Sequence, residues 1–360
     1  MRSFTYTAAP ARVIFGSGTI ERLGDEISRL GLKRVLFLST PHQAAFVQGC
    51  AEKVGSVSAG NFSGATMHTP FAVTERALSA ASELDADGIV AIGGGSTTGL
   101  GKAIALRTDL PQIVVPTTFA GSEMTSILGE TNDGRKVTVT DPRVRPEVVI
   151  YDVELTRSLP TEIAVASGMN AMAHAVEALY SQERNPVVTL MASEAIRSLK
   201  VALPGIVAGN PEARRVALYG AWLSGICLGS VPMSLHHKLC HTLGGLFDLP
   251  HADMHSILLP HVVAYNMPAV PEVRTLLGEV LDHADPARAL FAFNTTLGIK
   301  RSLAEIGMPS GRIEDAVTAA ISEPYWNPRA LDRAGIACLL ERAYAGDEPV
   351  AASEEEKSHG

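Results

Sequence analysis

At 360 residues the chain is long enough for two domains with separate cores. Its 30 basic and 38 acidic residues leave a formal net charge of -8, which gives no basic footprint and excludes a nucleic-acid partner. The 46% apolar content, sparse aromatics and 32 glycines suit an alanine-rich α/β protein. Cys50, Cys227, Cys240 and Cys338 are widely spaced, with no CxxC pair, leader or apolar run of spanning length, so the expectation is a cytoplasmic protein without a membrane partner.

Over residues 1–155 short β-branched runs alternate with helical patterns, the rhythm of a sheet covered by helices. Strands are expected at Arg34–Ser39, Gly88–Ile92 and Gln112–Pro116. Apolar spacing near 3.6 over Gly18–Leu30 and Thr74–Glu83 predicts helices between them. From residue 156 to 346 long alanine- and leucine-rich stretches such as Ala192–Val201 and Arg215–Leu228 predict an all-helical domain. The boundary lies within Ile150–Leu159. Residues 347–360 are polar and acidic, without a periodic apolar face, and read as a flexible tail.

The first chemical signal is Gly93-Gly-Gly-Ser-Thr97, which runs out of the strand Ile89–Ile92 and into helix-compatible Ala103–Leu106. Backbone amides at such a turn, with the positive end of a helix behind them, suit a pyrophosphate. The spacing is not that of a P-loop, because Ser96 replaces the first glycine and Ala103 follows Lys102. Thr117, Thr118 and Ser122, after the next strand, add hydroxyls suited to a ribose and an amide. Gly93, Gly94, Gly95, Ser96, Thr97, Thr117, Thr118 and Ser122 are therefore the expected dinucleotide residues. Ser39, with Thr40, follows the strand Arg34–Ser39. No carboxylate there repels a 2'-phosphate and no arginine demands one, so either NADH or NADPH is accepted.

The second signal is a histidine-rich stretch. Five of the eleven histidines lie between residues 236 and 255. His237 and His241 stand four apart, on one face of a helix, and His251 follows in a Pro-His turn. Upstream, Asn170 and His174 repeat the four-residue spacing in an apolar setting, so two helices can aim imidazoles at one point. Cys240 reads as a small packing residue, since thiol ligands usually come in sets.

In this order Phe15-Gly-Ser-Gly18, Gly93–Ser96, Pro116–Thr118 with Gly121-Ser-Glu123, Leu159-Pro160, Gly168–His174 and His237–His261 span nearly the whole chain. On these residues the chain resembles the iron-containing alcohol dehydrogenase superfamily, and within it the branch that reduces the carbon–carbon double bond of maleylacetate. The resemblance implies a Rossmann-like N-terminal domain, an all-α C-terminal domain of the dehydroquinate synthase-like fold, an active site between them and a homodimer or larger assembly. Metal-holding members place an aspartate at Asn170 and histidines at His174, His237 and His251. Here the anionic ligand is a neutral amide, and the acidic residue usual at Gly99 is missing. A carboxylate offers a divalent cation charge where an amide offers only a dipole, so iron affinity should fall; three histidines can still hold zinc, but the resemblance implies catalysis without metal.

The implied reaction is NADH- or NADPH-dependent reduction of maleylacetate to 3-oxoadipate in the breakdown of aromatic compounds. His241 would polarise the ketone and supply the proton, with His174, His237 and His251 around it and Asn170 orienting a histidine or the substrate. A small dicarboxylate needs cations, and Lys238, Arg329 and Lys136, with His236 beside the cluster, are the candidates. The alternatives are a metal-dependent dehydrogenase of a small alcohol or aldehyde, or a lyase of related architecture that uses NAD without net oxidation.

Overall fold

The computed structural model describes residues 4–7, 11–132 and 135–350, without the side chains of 135 and 136. The Lys136 side chain and the tail beyond residue 350 thus lie outside the described residues. The chain divides into two compact units, residues 8–159 and residues 160–360 together with 1–7. The expected boundary at 155/156 falls at the end of a tight turn, Val153–Thr156, that belongs to the first unit. Asp152 ties it there: its buried carboxylate accepts from the backbone of Glu154 at 2.9 Å, Gly18 at 3.0 Å and Ile20 at 2.8 Å.

The N-terminal unit contains β1 (Arg12–Gly16), α1 (Leu23–Arg29), β2 (Val35–Leu38), α2 (Ala44–Val54), β3 (Ser58–Phe62), α3 (Phe71–Glu83), β4 (Gly88–Gly93), α4 (Gly95–Thr108) and β5 (Gln112–Pro116). It continues with the hairpin β6 (Ile127–Asn132) and β7 (Arg135–Thr140) and ends with β8 (Val148–Asp152). Six strands form one parallel sheet in the order β1-β8-β5-β4-β2-β3. Every residue of β2, β4, β5 and β8 is buried, as helices on both faces require, which is why these strands read as continuous apolar runs. Alternate side chains serve opposite cores. Phe37, Val90, Ile92 and Val115 pack with α1 and α2, whereas Leu36, Leu38, Ile89 and Val114 pack with α3 and α4.

From β2 the chain moves outward to β3, then returns past β2 to β4 and continues to β5. The order therefore reverses between β2 and β4. In an open parallel sheet the crevice beyond the carboxyl ends at such a point is where a ligand binds. Ser39 follows β2 there, and the glycine turn follows β4.

The second unit is helical: α5 (Thr161–Tyr180), α6 (Pro186–Val207), α7 (Ala213–Ser230), α8 (Leu235–Phe247), α9 (His251–Asn266), α10 (Pro271–Leu281), α11 (Pro286–Thr296), α12 (Ile313–Ile321) and α13 (Arg333–Ala345). Helix α9 is buried from Met254 to Asn266 because α5, α8, α11 and α13 surround it. Helix α5 is almost as enclosed. A Cβ on its Gly168 would stand 2.4 Å from Leu203 Cδ2, so the glycine permits close approach of α6. No single described helix is long and apolar enough to cross a membrane, and α7 with α8, bent by 94°, meets that length and composition only as a pair. The start of the expected tail is tied down: Asp347 N–H donates to Arg342 O at 3.0 Å, and Arg342 Nε donates to Glu348 O at 2.8 Å.

Candidate active site

In the N-terminal unit the glycine turn behaves as a close-approach site. A Cβ on Gly93 would lie 2.3 Å from Thr97 Oγ1 and 2.8 Å from Gln43 Oε1, and one on Gly94 would lie 2.9 Å from Thr118 Cγ2. Gly94 caps α4, whose first turn holds Gly95, Ser96 and Thr97. Thr97 Oγ1 and Ser122 Oγ are buried without a hydrogen-bond partner, polar atoms that a ribose or a nicotinamide amide would satisfy. Thr117 accepts from Gln43 Nε2 at 3.0 Å, and Ser39 is buried, its backbone bonded to Phe62 and Ala65. With the topological reversal and the positive end of α4, this set fits a dinucleotide. Sequence reasoning missed Gln43, which stands outside any glycine motif.

Lys102 holds the far wall of this turn. Its buried ammonium donates to Ser122 O at 2.6 Å, to Thr125 O and Oγ1 at 2.9 Å and to Ile127 O at 2.8 Å. Burial pulls its pKa down to about 7, with Glu123 opposing the shift and Arg145 adding to it. At Gly99 a Cβ would meet Thr69 Oγ1 at 2.4 Å, so the space of the family's acidic residue is already taken by a hydroxyl.

In the helical unit three helices each contribute side chains one turn apart. Helix α5 brings Asn170, His174 and Glu177 to one face, α8 brings His237 and His241, with His236 and Cys240 behind, and α9 brings His251 and His255. The rings form a connected set. His174 and His237 lie 5.0 Å apart between centroids, His237 and His241 6.4 Å, and His241 and His251 6.4 Å. His255 stands at the hub, 4.4 Å from His251, 4.8 Å from His236, 5.1 Å from His237 and 6.2 Å from His174.

His241 lies exposed at the edge of the set, while His174, His236 and His255 are buried. Burial, reinforced by neighbouring imidazoles, pushes the pKa values of His174 and His255 well below the usual histidine range. Burial also lowers His236, to about 4, with Glu177 opposing. These rings are neutral at pH 7 and can offer N–H groups without bringing charge. Asn170 Oδ1, His174 Nδ1, His237 Nε2 and both ring nitrogens of His255 are buried and unpartnered, an unusual concentration of open hydrogen-bonding capacity.

Glu177 is a second residue the sequence reading missed. It is 1% exposed; Oε1 accepts from Ser234 Oγ at 2.9 Å, Ser234 N at 3.2 Å and His236 N at 3.0 Å, and Oε2 accepts from His237 Nδ1. Burial alone would raise its pKa, but His237, His236 and Ser234 outweigh that and hold it at about 2. Its signal was present, because it lies on the face of Asn170 and His174, three residues beyond the latter.

Two substrate expectations need correction. His236 is fully buried, with Nε2 on the His255 carbonyl at 3.0 Å, so it backs the cluster instead of lining a pocket. Arg329 lies over the Tyr265 ring at 4.1 Å and pairs with Asp332 at 3.6 Å, so its guanidinium is committed elsewhere. Lys238 follows His237 on α8 and reaches Glu323 at 3.8 Å and the Tyr325 ring at 5.7 Å. His251 opens α9 directly after Pro250.

The donor set tests whether the family's metal fits. Among the described residues, the groups of three ligand atoms within 4.8 Å of one another are His236, Cys240 and His255, and Glu177, His236 and His237. His174 and His251 belong to neither group. The quartet of Asn170, His174, His237 and His251 offers only neutral donors to a 2+ ion, and the nearby carboxylate, Glu177, is already saturated. It lacks the anionic ligand of a carboxylate-bearing set, while its three imidazoles remain a donor set of the kind zinc accepts.

Comparison with known proteins agrees with this architecture. A sequence model of iron-containing alcohol dehydrogenases matches residues 10–153, and one of the C-terminal part of the Fe-containing alcohol dehydrogenase family matches 164–344. Maleylacetate reductases of Rhizobium sp. strain MTP-10005 and Sphingobium indicum are each 51% identical over 97% of this chain and 100% and 99% of their own lengths. The crystal structure of the Rhizobium protein superposes with a TM-score of 0.94 over 97% of this chain and 100% of that one. The chain belongs to the iron-containing alcohol dehydrogenase family, whose members are NAD(P)-dependent oxidoreductases.

Proposed function

We propose that this protein reduces the conjugated double bond of maleylacetate, giving 3-oxoadipate, with NADH or NADPH as reductant and without a metal ion. The observation that carries the reading is the convergence of imidazoles, several with unpartnered ring nitrogens, around a position where an amide replaces the metal-binding carboxylate. The sequence identity to maleylacetate reductases supports the choice of substrate.

A dinucleotide held at the glycine turn would supply the hydride, and the substrate would accept it at the alkene carbon β to the ketone. The displaced electron pair moves onto the ketone oxygen, and a proton at the α carbon completes the product. An alkoxide needs strong electrophilic help, but an enolate is stabilised by hydrogen bonds alone. Neutral His174 and His255, both buried, offer such bonds from desolvated surroundings, where each is worth more than in water, and His237, whose Nδ1 hydrogen goes to Glu177, presents Nε2 as an acceptor. His241, exposed and therefore able to exchange with solvent, gives the proton. Asn170 orients substrate or imidazole through its free Oδ1, and Lys238 draws in a carboxylate. The reading places the enzyme in the cytoplasm, supported by its free cysteines, and makes it a homodimer, supported by exposed Val187, Leu190 and Val201 on α6.

The test is NADH oxidation with maleylacetate by protein exhaustively treated with EDTA, alongside metal analysis of the same sample. Full turnover without metal is expected. Activity that disappears and returns with iron or zinc would instead favour a metal-dependent alcohol dehydrogenase.

A further inference from the structure

Glu177 has two ligand sets on its two oxygens, and they point to different tasks. Oε1 faces the first turn of α8, taking the Ser234 and His236 N–H groups at 3.2 and 3.0 Å and the Ser234 hydroxyl at 2.9 Å. Ser234 makes no capping bond of its own, so a carboxylate from α5 caps α8, where the helix dipole favours an anion. Capping accounts for the backbone and hydroxyl contacts on both oxygens, and leaves only the imidazole contact on Oε2 unexplained. Oε2 takes His237 Nδ1, with the His237 N–H more distant at 3.4 Å.

A carboxylate accepts and does not donate, so His237 Nδ1 carries a hydrogen, and the ring is held with Nε2 turned away from Glu177. His237 Nε2 is buried and unpartnered, in a ring 5.0 Å from His174 and 5.1 Å from His255. Without Oε2 the imidazole can exchange its two nitrogens by a ring flip and present either one, in either tautomer. The partner of the far ring nitrogen sets which face a working imidazole offers.

We propose that Glu177 is a positioning residue for the reaction, fixing the tautomer and ring orientation of His237 so that Nε2 faces the imidazole cluster. The proposal rests on the maleylacetate reductase reading for its kinetic consequence, though not for its spectroscopic one. Neither the resemblance nor the family match assigns Glu177 a role.

Glu177→Gln separates positioning from capping. The amide oxygen can still cap α8, but its NH2 then faces His237 Nδ1 and demands an acceptor there, which moves the hydrogen to Nε2. With maleylacetate kcat should fall about 100-fold, while KM and NADH affinity stay within about twofold. Spectra of 15N-histidine-labelled protein, assigned by a His237→Gln variant, should show Nδ1 of His237 protonated in the wild type and bare in Glu177→Gln. Ser234→Ala, which removes one capping bond, should lower thermal stability without changing the His237 signal or kcat.

An unprotonated Nδ1 in the wild type would overturn the proposal without any variant, which covers the case in which Glu177→Gln does not fold. So would a folded Glu177→Gln enzyme with wild-type kcat. If the wild-type enzyme leaves NADH untouched by maleylacetate, the functional reading fails, and the spectra still decide whether Glu177 positions His237.

Discussion

Replacing Asn170 by aspartate restores the charge that separates this site from metal-binding relatives, and the structure sets the size of the effect. Asn170 is 8% exposed, its Oδ1 has no partner, and His174 one turn along has an unpartnered Nδ1. A carboxylate placed there is desolvated with no cation to meet it. If burial raises its pKa by about 2 units, the folded state loses about 3 kcal/mol at pH 7. The sign follows from proton binding. The folded carboxyl keeps its proton at pH values where the unfolded one has lost it, so the penalty is full above the raised pKa and vanishes below about pH 4. At about 2–4 °C per kcal/mol, Tm should fall by about 6–12 °C. A divalent cation supplies the missing charge, and at about 1,000 times its Kd it returns about 4 kcal/mol, enough to offset the loss. Thermal unfolding after EDTA treatment, with and without added Zn2+ or Mn2+, reads both effects. Asn170→Asp should melt lower without metal and recover with it, while the wild type responds less to either ion. A wild-type protein stabilised by the cation as strongly as the variant would refute the reasoning that Asn170 is what weakens metal binding.

Two further outcomes test other parts of the molecule. Gly93→Ala places a methyl 2.3 Å from Thr97 Oγ1 and 2.8 Å from Gln43 Oε1, crowding that costs about 1–3 kcal/mol, and NADH affinity measured by fluorescence should weaken at least tenfold; an unchanged Kd would remove this turn from the cofactor site. His261 is buried near Phe291 with Nε2 unpartnered, and burial, aided by the Arg342 charge, holds its pKa at about 4. Between pH 6.5 and 4 the unfolded chain therefore binds a proton that the folded one refuses, so stability falls as pH drops through that window. His261→Leu should spare about 2 kcal/mol of that loss at pH 5, read by urea unfolding at pH 7.5 and 5, and identical pH dependence in both proteins would count against it.

The elements that periodicity made plain are those whose own residues carry the whole pattern. Val35–Leu38, Gly88–Gly93 and Gln112–Pro116 are buried on both faces and show as uninterrupted apolar runs. Strand β1, only partly buried at the sheet edge, and the hairpin of β6 and β7 lack that signature, because their pairing depends on chain far away in sequence or on a solvated face. Of the site, sequence alone determined the glycine turn and the four-residue spacing of Asn170 with His174 and of His237 with His241, and the family resemblance added the carboxylate missing at position 170. Those are properties of single segments. Which imidazoles meet, that His255 stands at the hub, that His236 is core and Arg329 is committed to Asp332, and that Glu177 holds His237, only the tertiary structure decided. Each of these depends on how helices or segments distant in sequence pack, and a hydrogen bond between residues 60 positions apart leaves no mark on the spacing of either segment.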